Sequence, residues 1–388
     1  MLADSNGSSL IFVHTHPHSL HPSKFSPIDE LSNKRIFANL SQILTDIPLG
    51  SLVFSRRGVY GVVYNKGKIN NITNATISGK TLTDYPVVES RIKSSLKNNK
   101  YDRQERTLGR ENQRRLQEMI ITIVGVGGTG SPLAVQLARM GIKRIRLIDK
   151  DIIDETNLPR VYGSKPSDVG RPKADVLKKY IESFSDTKVE AIQADITTDD
   201  VVEEIVDSDV IFSCTDNLAS RAILNDVSIQ YFIPLIDVGC RINLNKNKTI
   251  NQAIIKVQVV TSQTACLWCS GTLDGKTIMQ ESLSSQEKKK LEKEGYYENI
   301  ENQPSIISMT TMAASMAVNK LLNLLGVFGN DYGSLTQIEL KDGFMLDNNP
   351  PRKENCVCQK RRGLATKRKI VNQVNKELPN VISQSKKR

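Results

Sequence analysis

The run Gly125-Val126-Gly127-Gly128-Thr129-Gly130 is a stretch of backbone nearly bare of side chains, set between the apolar segment 120–124 and a helix-like one that begins near Ser131. Such a turn lets phosphate oxygens approach backbone N–H groups, and the helix N-terminus behind it adds partial positive charge. Asp149 follows 19 residues after Gly130, at the end of the next strand-like segment. That is where a carboxylate accepts a hydrogen bond from a ribose hydroxyl. Taken alone, the pattern is equally that of a nicotinamide dehydrogenase, so it establishes a nucleotide fold and leaves the chemistry open.

One further group of residues has the types and spacing of metal ligands. Cys266 and Cys269 form C-x-x-C, and Cys356 and Cys358 form C-x-C. Thiolates two or three positions apart converge on one Zn²⁺, and two such pairs make a tetrahedral sulfur site. Structural zinc is the expectation for these four, whereas Cys214 and Cys240 read as small buried residues. The four histidines, His14, His16, His18 and His21, crowd into eight residues and are followed by Ser26 and Asp29. Such clustering is not expected by chance.

The elements that must position these groups follow from the hydrophobic pattern. From Met119 onward, apolar runs of strand length alternate with segments of helical period, as expected of a parallel sheet built from βαβ units. Candidate strands are residues 120–126, 144–149, 189–195, 209–214 and 234–238; candidate helices are 131–140, 173–184 and 217–231. The expected core is therefore an α/β, doubly wound, Rossmann-like sheet. A charged segment at 271–302 interrupts it, with 286–294 read as an exposed helix. Residues 304–325 follow as a buried helix whose Met309, Met312 and Met316 fill a core. A polar stretch at 89–112 separates a short N-terminal segment from this body. The expected domains are 1–88, 101–359 and a basic tail at 360–388.

Composition limits the function classes. The chain has 388 residues, 39% hydrophobic, and a formal charge of +11. Ten Lys/Arg against Glu377 in the last 29 residues supply +9 of it, so the globular body carries no broad basic surface. The tail reads as a solvated end rather than a nucleic-acid arm. No window reaches the ~18 apolar residues of a membrane span, and no basic-then-apolar leader opens the chain. A cytoplasmic protein is expected.

Further residues decide between the nucleotide chemistries: Asn157-Leu-Pro-Arg160, Gly170-Arg-Pro-Lys173 and Cys214-Thr-Asp216-Asn217. With these the sequence resembles the ThiF/HesA/MoeB adenylyltransferases and the adenylation domain of ubiquitin-activating enzymes, which bind ATP rather than NAD. The resemblance implies roles residue by residue. Gly125, Gly127, Gly128 and Gly130 form the phosphate turn, Asp149 and Asp151 serve the nucleotide, and Asn157 makes a polar ATP contact. Arg160 and Lys173 supply fixed cations, needed because attack of a carboxylate on an α-phosphate brings two anions together. Asp216 helps hold Mg²⁺. Arg103, in Tyr101-Asp-Arg103-Gln104, matches an arginine that reaches the ATP site of the other subunit, which implies a homodimer. The family also carries a structural zinc between two cysteine pairs; here the second pair is one residue shorter. Residues 270–304 contain no acceptor cysteine, so the expected product is the acyl-adenylate of a ubiquitin-like or sulfur-carrier protein C-terminus, with Cys240 as an alternative acceptor. The competing readings are a tRNA-modifying dehydratase of the same fold, whose only support is the tail, and a non-enzymatic nucleotide-binding module.

The N-terminal histidines resemble the JAB/MPN (JAMM) metalloprotease motif, H-x-H followed by S-x-x-D, which implies His14, His16 and Asp29 as zinc ligands. The gap from His16 to Ser26 is wider than in that motif. The motif's glutamate base lies upstream, and Asp4 is the only acid before His14. Residues 10–64 thus look like the C-terminal half of such a domain, expected to be an inactive remnant, with a relic and a misassigned start both left open. Its pairing with an activating domain implies a substrate whose tail is trimmed before it is adenylated.

Overall fold

The computed structural model describes residues 9–16, 25–44, 47–55, 58–65, 67–72, 74–86, 99–281, 283, 304–329 and 332–365. His18, His21, the expected exposed helix at 286–294 and the basic tail beyond residue 365 lie outside the described residues. The chain forms two compact units, residues 1–99 with 364–368 and residues 100–363 with 369–388.

In the first unit, β1 (Leu10–Thr15) pairs in parallel with β2 (Leu49–Phe54), and β3 (Val59–Asn65) and β4 (Lys68–Asn71) continue the sheet antiparallel. Helix α1 (Pro27–Ile43) crosses between the first two strands, and β5 (Asn74–Ser78) and β6 (Leu82–Pro86) make a separate hairpin. Ser26 starts α1 with a capping box: its side chain accepts from the Asp29 N–H, and the Asp29 carboxylate accepts from the Ser26 N–H. That motif satisfies two otherwise orphaned donors and fixes where the helix begins. Phe25, Leu49, Val53 and Val59 are buried apolar residues of this sheet and its approach to α1.

The second unit opens with α2 (Asp102–Leu108) and α3 (Arg110–Glu118) and is built on an eight-stranded sheet. Its parallel half runs β11 (Leu235–Leu244), β10 (Val210–Ser213), β7 (Ile120–Val124), β8 (Arg144–Ile148), β9 (Lys188–Ile192). Chain order steps outward from β7 first through β8 and β9, then returns to β10 on its other side. This reversal makes β7/β10 the switch point, where a crevice opens beyond the strand ends. Beyond β11 the sheet continues antiparallel through β12 (Ile250–Val260), β13 (Leu335–Glu339) and β14 (Phe344–Asn348).

Helices α4 (Gly130–Arg139), α5 (Lys173–Glu182), α6 (Asp199–Glu203) and α7 (Leu218–Tyr231) connect the parallel strands; α8 (Gly275–Glu281), α9 (Ile307–Leu324) and α10 (Val357–Arg361) come later. Eight of the ten residues of α4 are buried, because the sheet covers one side and α9 another. A helix apolar nearly all round is what such a position demands. Leu133 and Leu137 are fully enclosed; truncating either to Ala would cost about 2–5 kcal/mol. Of the three methionines expected to fill a core, only Met309 is buried, while Met312 is 39% exposed and Met316 half-buried. The buried stripe of α9 runs instead through Ala313, Ala314, Ala317 and Leu321, and the helix packs on α4. No helix among the described residues is long and apolar enough to cross a membrane.

Candidate functional site

Three neighbouring parallel strands, β8, β7 and β10, end at one edge of the sheet and deliver Asp149, the glycine turn and the 214–217 loop there. Gly125 has φ +87°, and a Cβ on it would lie 2.7 Å from the Cys214 carbonyl oxygen, so the turn closes directly on the loop after β10. Gly130 is tighter still, since its Cβ would fall 1.9 Å from the Gly125 carbonyl oxygen. Gly127 is different: a Cβ there meets nothing within 4 Å. The first two are glycines for the fold, and the third leaves open the space that a phosphate would enter.

Asp149, the expected ribose acceptor, already has backbone partners. Its Oδ2 accepts from the Val126 N–H at 2.7 Å and its Oδ1 from the Asp151 N–H at 2.9 Å, so it pins the glycine turn to the end of β8. Burial pushes its carboxyl above the ordinary aspartate range, and those N–H groups and Lys173 only partly offset the rise.

The cations reach the site by two short devices. Asp154 caps the 3₁₀ turn Glu155–Asn157 by accepting from the Asn157 N–H at 3.1 Å, which launches the chain toward Arg160. The Arg160 side chain then passes the turn, with Cδ 3.2 Å from where a Gly128 Cβ would be, and its guanidinium donates to the Thr156 carbonyl. Asn157 is 3% exposed, and its buried Oδ1 has no hydrogen-bond partner among the described residues. Segments 151–153 and 170–173 make a miniature antiparallel ladder: the Ile153 N–H donates to Arg171, and the Gly170 N–H to Ile153. The Lys173 N–H returns to Asp151. Gly170, at φ +87°, turns the chain into it. The ladder sets Lys173 at the first position of α5, with Nζ 2.9 Å from the Asp151 carboxylate.

Asp216 is exposed at the mouth of the β10 loop, beside Asn217, which caps α7 by accepting from the Ser220 N–H at 2.8 Å. Arg103 is not brought to this edge. Its helix α2 is held through Gln104, which donates to the Met140 carbonyl at 2.9 Å, beyond the C-terminal end of α4. The glycine turn lies at the other end of that ten-residue helix, about 15 Å away along its axis.

Two side chains of this edge carry no signal in the sequence. Ser131 donates to the Gly127 carbonyl at 2.8 Å and accepts from the Tyr162 N–H at 3.0 Å, which ties the Arg160 segment to the turn. Glu281, at the end of α8, accepts from the Leu218 and Ala219 N–H groups at 3.0 and 2.8 Å and so caps α7 from a distance. Contacts 31 and 63 residues apart leave no local pattern. Cys240 is half-buried near the turn, and burial pushes its thiol up to about 11, which disfavours the nucleophilic thiolate.

The four paired cysteines converge. Cys266 and Cys356 are 3.6 Å apart at sulfur, Cys269 and Cys358 3.8 Å, and all four sulfurs lie within 4.8 Å of one another. Thiolates bound 2.3 Å from a tetrahedral Zn²⁺ have edges of about 3.8 Å. The short C-x-C spacing is accommodated because Cys356 precedes α10 and Cys358 lies in its first turn. Backbone N–H groups of Cys269 and Lys353 point at the sulfurs of Cys266 and Cys269, at 3.4 and 3.3 Å.

In the first unit, His14 and His16 present Nε2 atoms 3.1 and 3.4 Å from the two Asp29 oxygens. The three ligand atoms lie within 4.8 Å of one another. Burial opposes the Asp29 charge, but the Ser26 hydroxyl and N–H and the two imidazoles hold its carboxyl below the ordinary range.

Comparison with known proteins places the second unit in a family. The SAMP-activating enzyme E1 of Haloferax volcanii is 34% identical over 130 residues, covering 33% of this chain and 48% of the relative. The sulfur carrier protein ThiS adenylyltransferase of Bacillus subtilis is 29% identical over 175 residues, 44% of this chain and 49% of the relative. The chain thus spans about half the length of these relatives. Among solved structures, Escherichia coli MccB with ATP superimposes with a TM-score of 0.53 over 68% of this chain and 75% of that one. Its 21% identity carries the fold alone. The ThiF family model matches residues 101–360, which include the glycine turn, both cations, Asp216 and all four paired cysteines; the chain belongs to the ThiF family.

Proposed function

We propose that this chain uses ATP to adenylate the C-terminal carboxylate of a ubiquitin-like or sulfur-carrier protein. One observation carries the reading: a glycine turn with space at Gly127, Arg160 beside it and the exposed Asp216 share one sheet edge. A carboxylate oxygen attacks the α-phosphorus, the bond from that phosphorus to the bridging oxygen breaks, and pyrophosphate leaves with the electron pair. Arg160 and Lys173 offset the negative charge on the phosphates, and Asp149 holds the ribose while pinning the turn. Asp216 is suited to hold Mg²⁺, which would neutralise phosphate charge. The relatives named above as activating a sulfur carrier or SAMP support this substrate class.

The distance of α2 from the turn supports a homodimer in which Arg103 serves the partner's site. The sulfur spacing supports structural Zn²⁺ held by Cys266, Cys269, Cys356 and Cys358, and a reducing, cytoplasmic location suits four thiolates so used. A second reading concerns the first unit alone. The convergence of His14, His16 and Asp29 supports a JAB-type divalent-metal site, which a second equivalent of metal per chain, beyond the one held by the cysteines, would report and which Asp29→Ala would abolish.

The decisive experiment is pyrophosphate–ATP exchange by the purified full chain, with small carrier proteins ending in Gly-Gly supplied in turn. Carrier-dependent exchange that disappears in Asp216→Ala is expected. Tight ATP binding with no exchange for any carboxyl-terminal partner would overturn the assignment.

A further inference from the structure

Asp216 is exposed, so its position depends on the backbone that carries it. Beneath that backbone runs the side chain of Arg221, one turn into α7. Its Nε and Nη2 both donate to the Thr215 carbonyl, at 3.1 and 2.9 Å, and Nη2 also reaches the Val238 carbonyl at 3.3 Å. The planar fork thereby clips the residue next to Asp216 to the neighbouring strand β11. Gly239 makes room for it, because a Cβ there would lie 3.1 Å from Nη2.

The charge of Arg221 has a built counterpart. Asp237 is 1% exposed, its Oδ2 lies 3.6 Å from Arg221 Nη1, and its Oδ1 has no hydrogen-bond partner among the described residues. A carboxylate kept this deep is costly unless cations stand close, so Asp237, which Lys256 also faces, favours keeping the Arg221 guanidinium where the carbonyls hold it. Only an arginine supplies several donors in one rigid plane at such a position; a lysine supplies a point charge.

The clipped loop does two things at the nucleotide edge. Its Cys214 carbonyl is the surface on which Gly125 closes, and its exposed tip carries Asp216. Resting on the proposed role of Asp216 toward Mg²⁺, we infer that Arg221 is a positioning residue: through the Thr215 carbonyl it sets where Asp216 meets the metal–phosphate complex. It touches neither nucleotide nor metal. Its effect therefore falls on the coupling between metal and nucleotide rather than on nucleotide binding as such.

The test is calorimetric binding of α,β-methylene-ATP to the full chain, with and without added Mn²⁺. In the wild type, Mn²⁺ tightens nucleotide binding. Arg221→Gln is expected to keep the metal-free affinity within about twofold while losing about tenfold of the Mn²⁺ enhancement, the weight of a hydrogen bond to a charged group. Asp216→Asn loses the enhancement entirely, and Arg221→Lys falls between. Absence of any Mn²⁺ enhancement in the wild type would sink the magnesium reading and this inference with it. Full enhancement in Arg221→Gln, alongside its loss in Asp216→Asn, overturns the positioning role and leaves the magnesium reading standing. If Arg221→Gln does not fold, Arg221→Lys decides, since it keeps the charge beside Asp237 and loses the fork; undiminished enhancement there overturns the inference.

Discussion

The Asp149 carboxylate accepts the Val126 N–H at 2.7 Å, so the acid expected to hold a ribose also fastens the glycine turn to the next strand. The two duties predict a distinctive pH dependence. Burial raises its folded-state pKa, so the folded chain binds this proton at higher pH than the unfolded chain. Stability from this group is therefore full below the unfolded value and declines as pH rises through the folded one. Nucleotide affinity moves oppositely, because a protonated Asp149 is a poorer acceptor for both Val126 and the ribose. ATP titrations from neutral to mildly acidic pH should show affinity falling in the wild type. In Asp149→Asn it should be about tenfold weaker and flat with pH.

The glycines separate fold from function. Gly130→Ala places a methyl group 1.9 Å from the Gly125 carbonyl oxygen and must push the turn off the helix. It should lower the melting temperature and abolish ATP binding together. Gly127→Ala places the same group in open space. It should melt within a degree or two of wild type, as surface changes usually do, and yet bind ATP poorly. Equal ATP affinity in Gly127→Ala and wild type would show that the phosphates do not lie over the turn.

Lys173 and Asp151 form a pair 2.9 Å apart in which the lysine is the enclosed partner, 12% exposed against 53%. A phosphate can thus draw Lys173 away from a carboxylate that water readily solvates. Lys173→Met should lower pyrophosphate exchange by about 10²–10³-fold, as loss of one fixed donor to developing charge does. Asp151→Asn should change it only severalfold. Comparable losses in the two variants would assign the pair to the structure of the ladder instead.

Much of this edge was legible from residue order, and the reason is local. The strands at 120–124, 144–148 and 210–213 and helices α4, α5 and α7 are short, continuous apolar runs or helical periods between turn residues, and each needs only its own neighbourhood to be recognised. The antiparallel half was not read. Strand β11 runs six residues beyond Val238, and β14, with every residue exposed, has no buried face to give it an alternating pattern. At the site, Asp149 and the cysteine pairs were picked out by their spacing, and Asp216 by the resemblance of Cys214-Thr-Asp216-Asn217 to a family motif. Ser131, Arg221 and Glu281 did not, because a serine, an arginine and a glutamate inside helices are ordinary until the fold brings a distant backbone to them.

The zinc proposed at the cysteine cluster and the ion pair of α10 are expected to contribute separately to stability. Helix α10 carries Cys358 and, one turn on, Arg361, which pairs with Asp226 of α7 at 2.9 Å with both side chains 7% exposed. Removing the arginine leaves a carboxylate buried without its cation, which costs about 3–5 kcal/mol. Arg361→Met should therefore unfold at clearly lower denaturant while retaining zinc, since none of the sulfurs is disturbed. Cys358→Ala should lose zinc and stability together, because three thiolates no longer close a tetrahedral site. Zinc content by mass spectrometry, set beside denaturant midpoints, distinguishes the two. Should Arg361→Met release the metal as readily as Cys358→Ala, the ion pair and the sulfur cluster would be one cooperative unit, with α10 held on α7 only while both are intact.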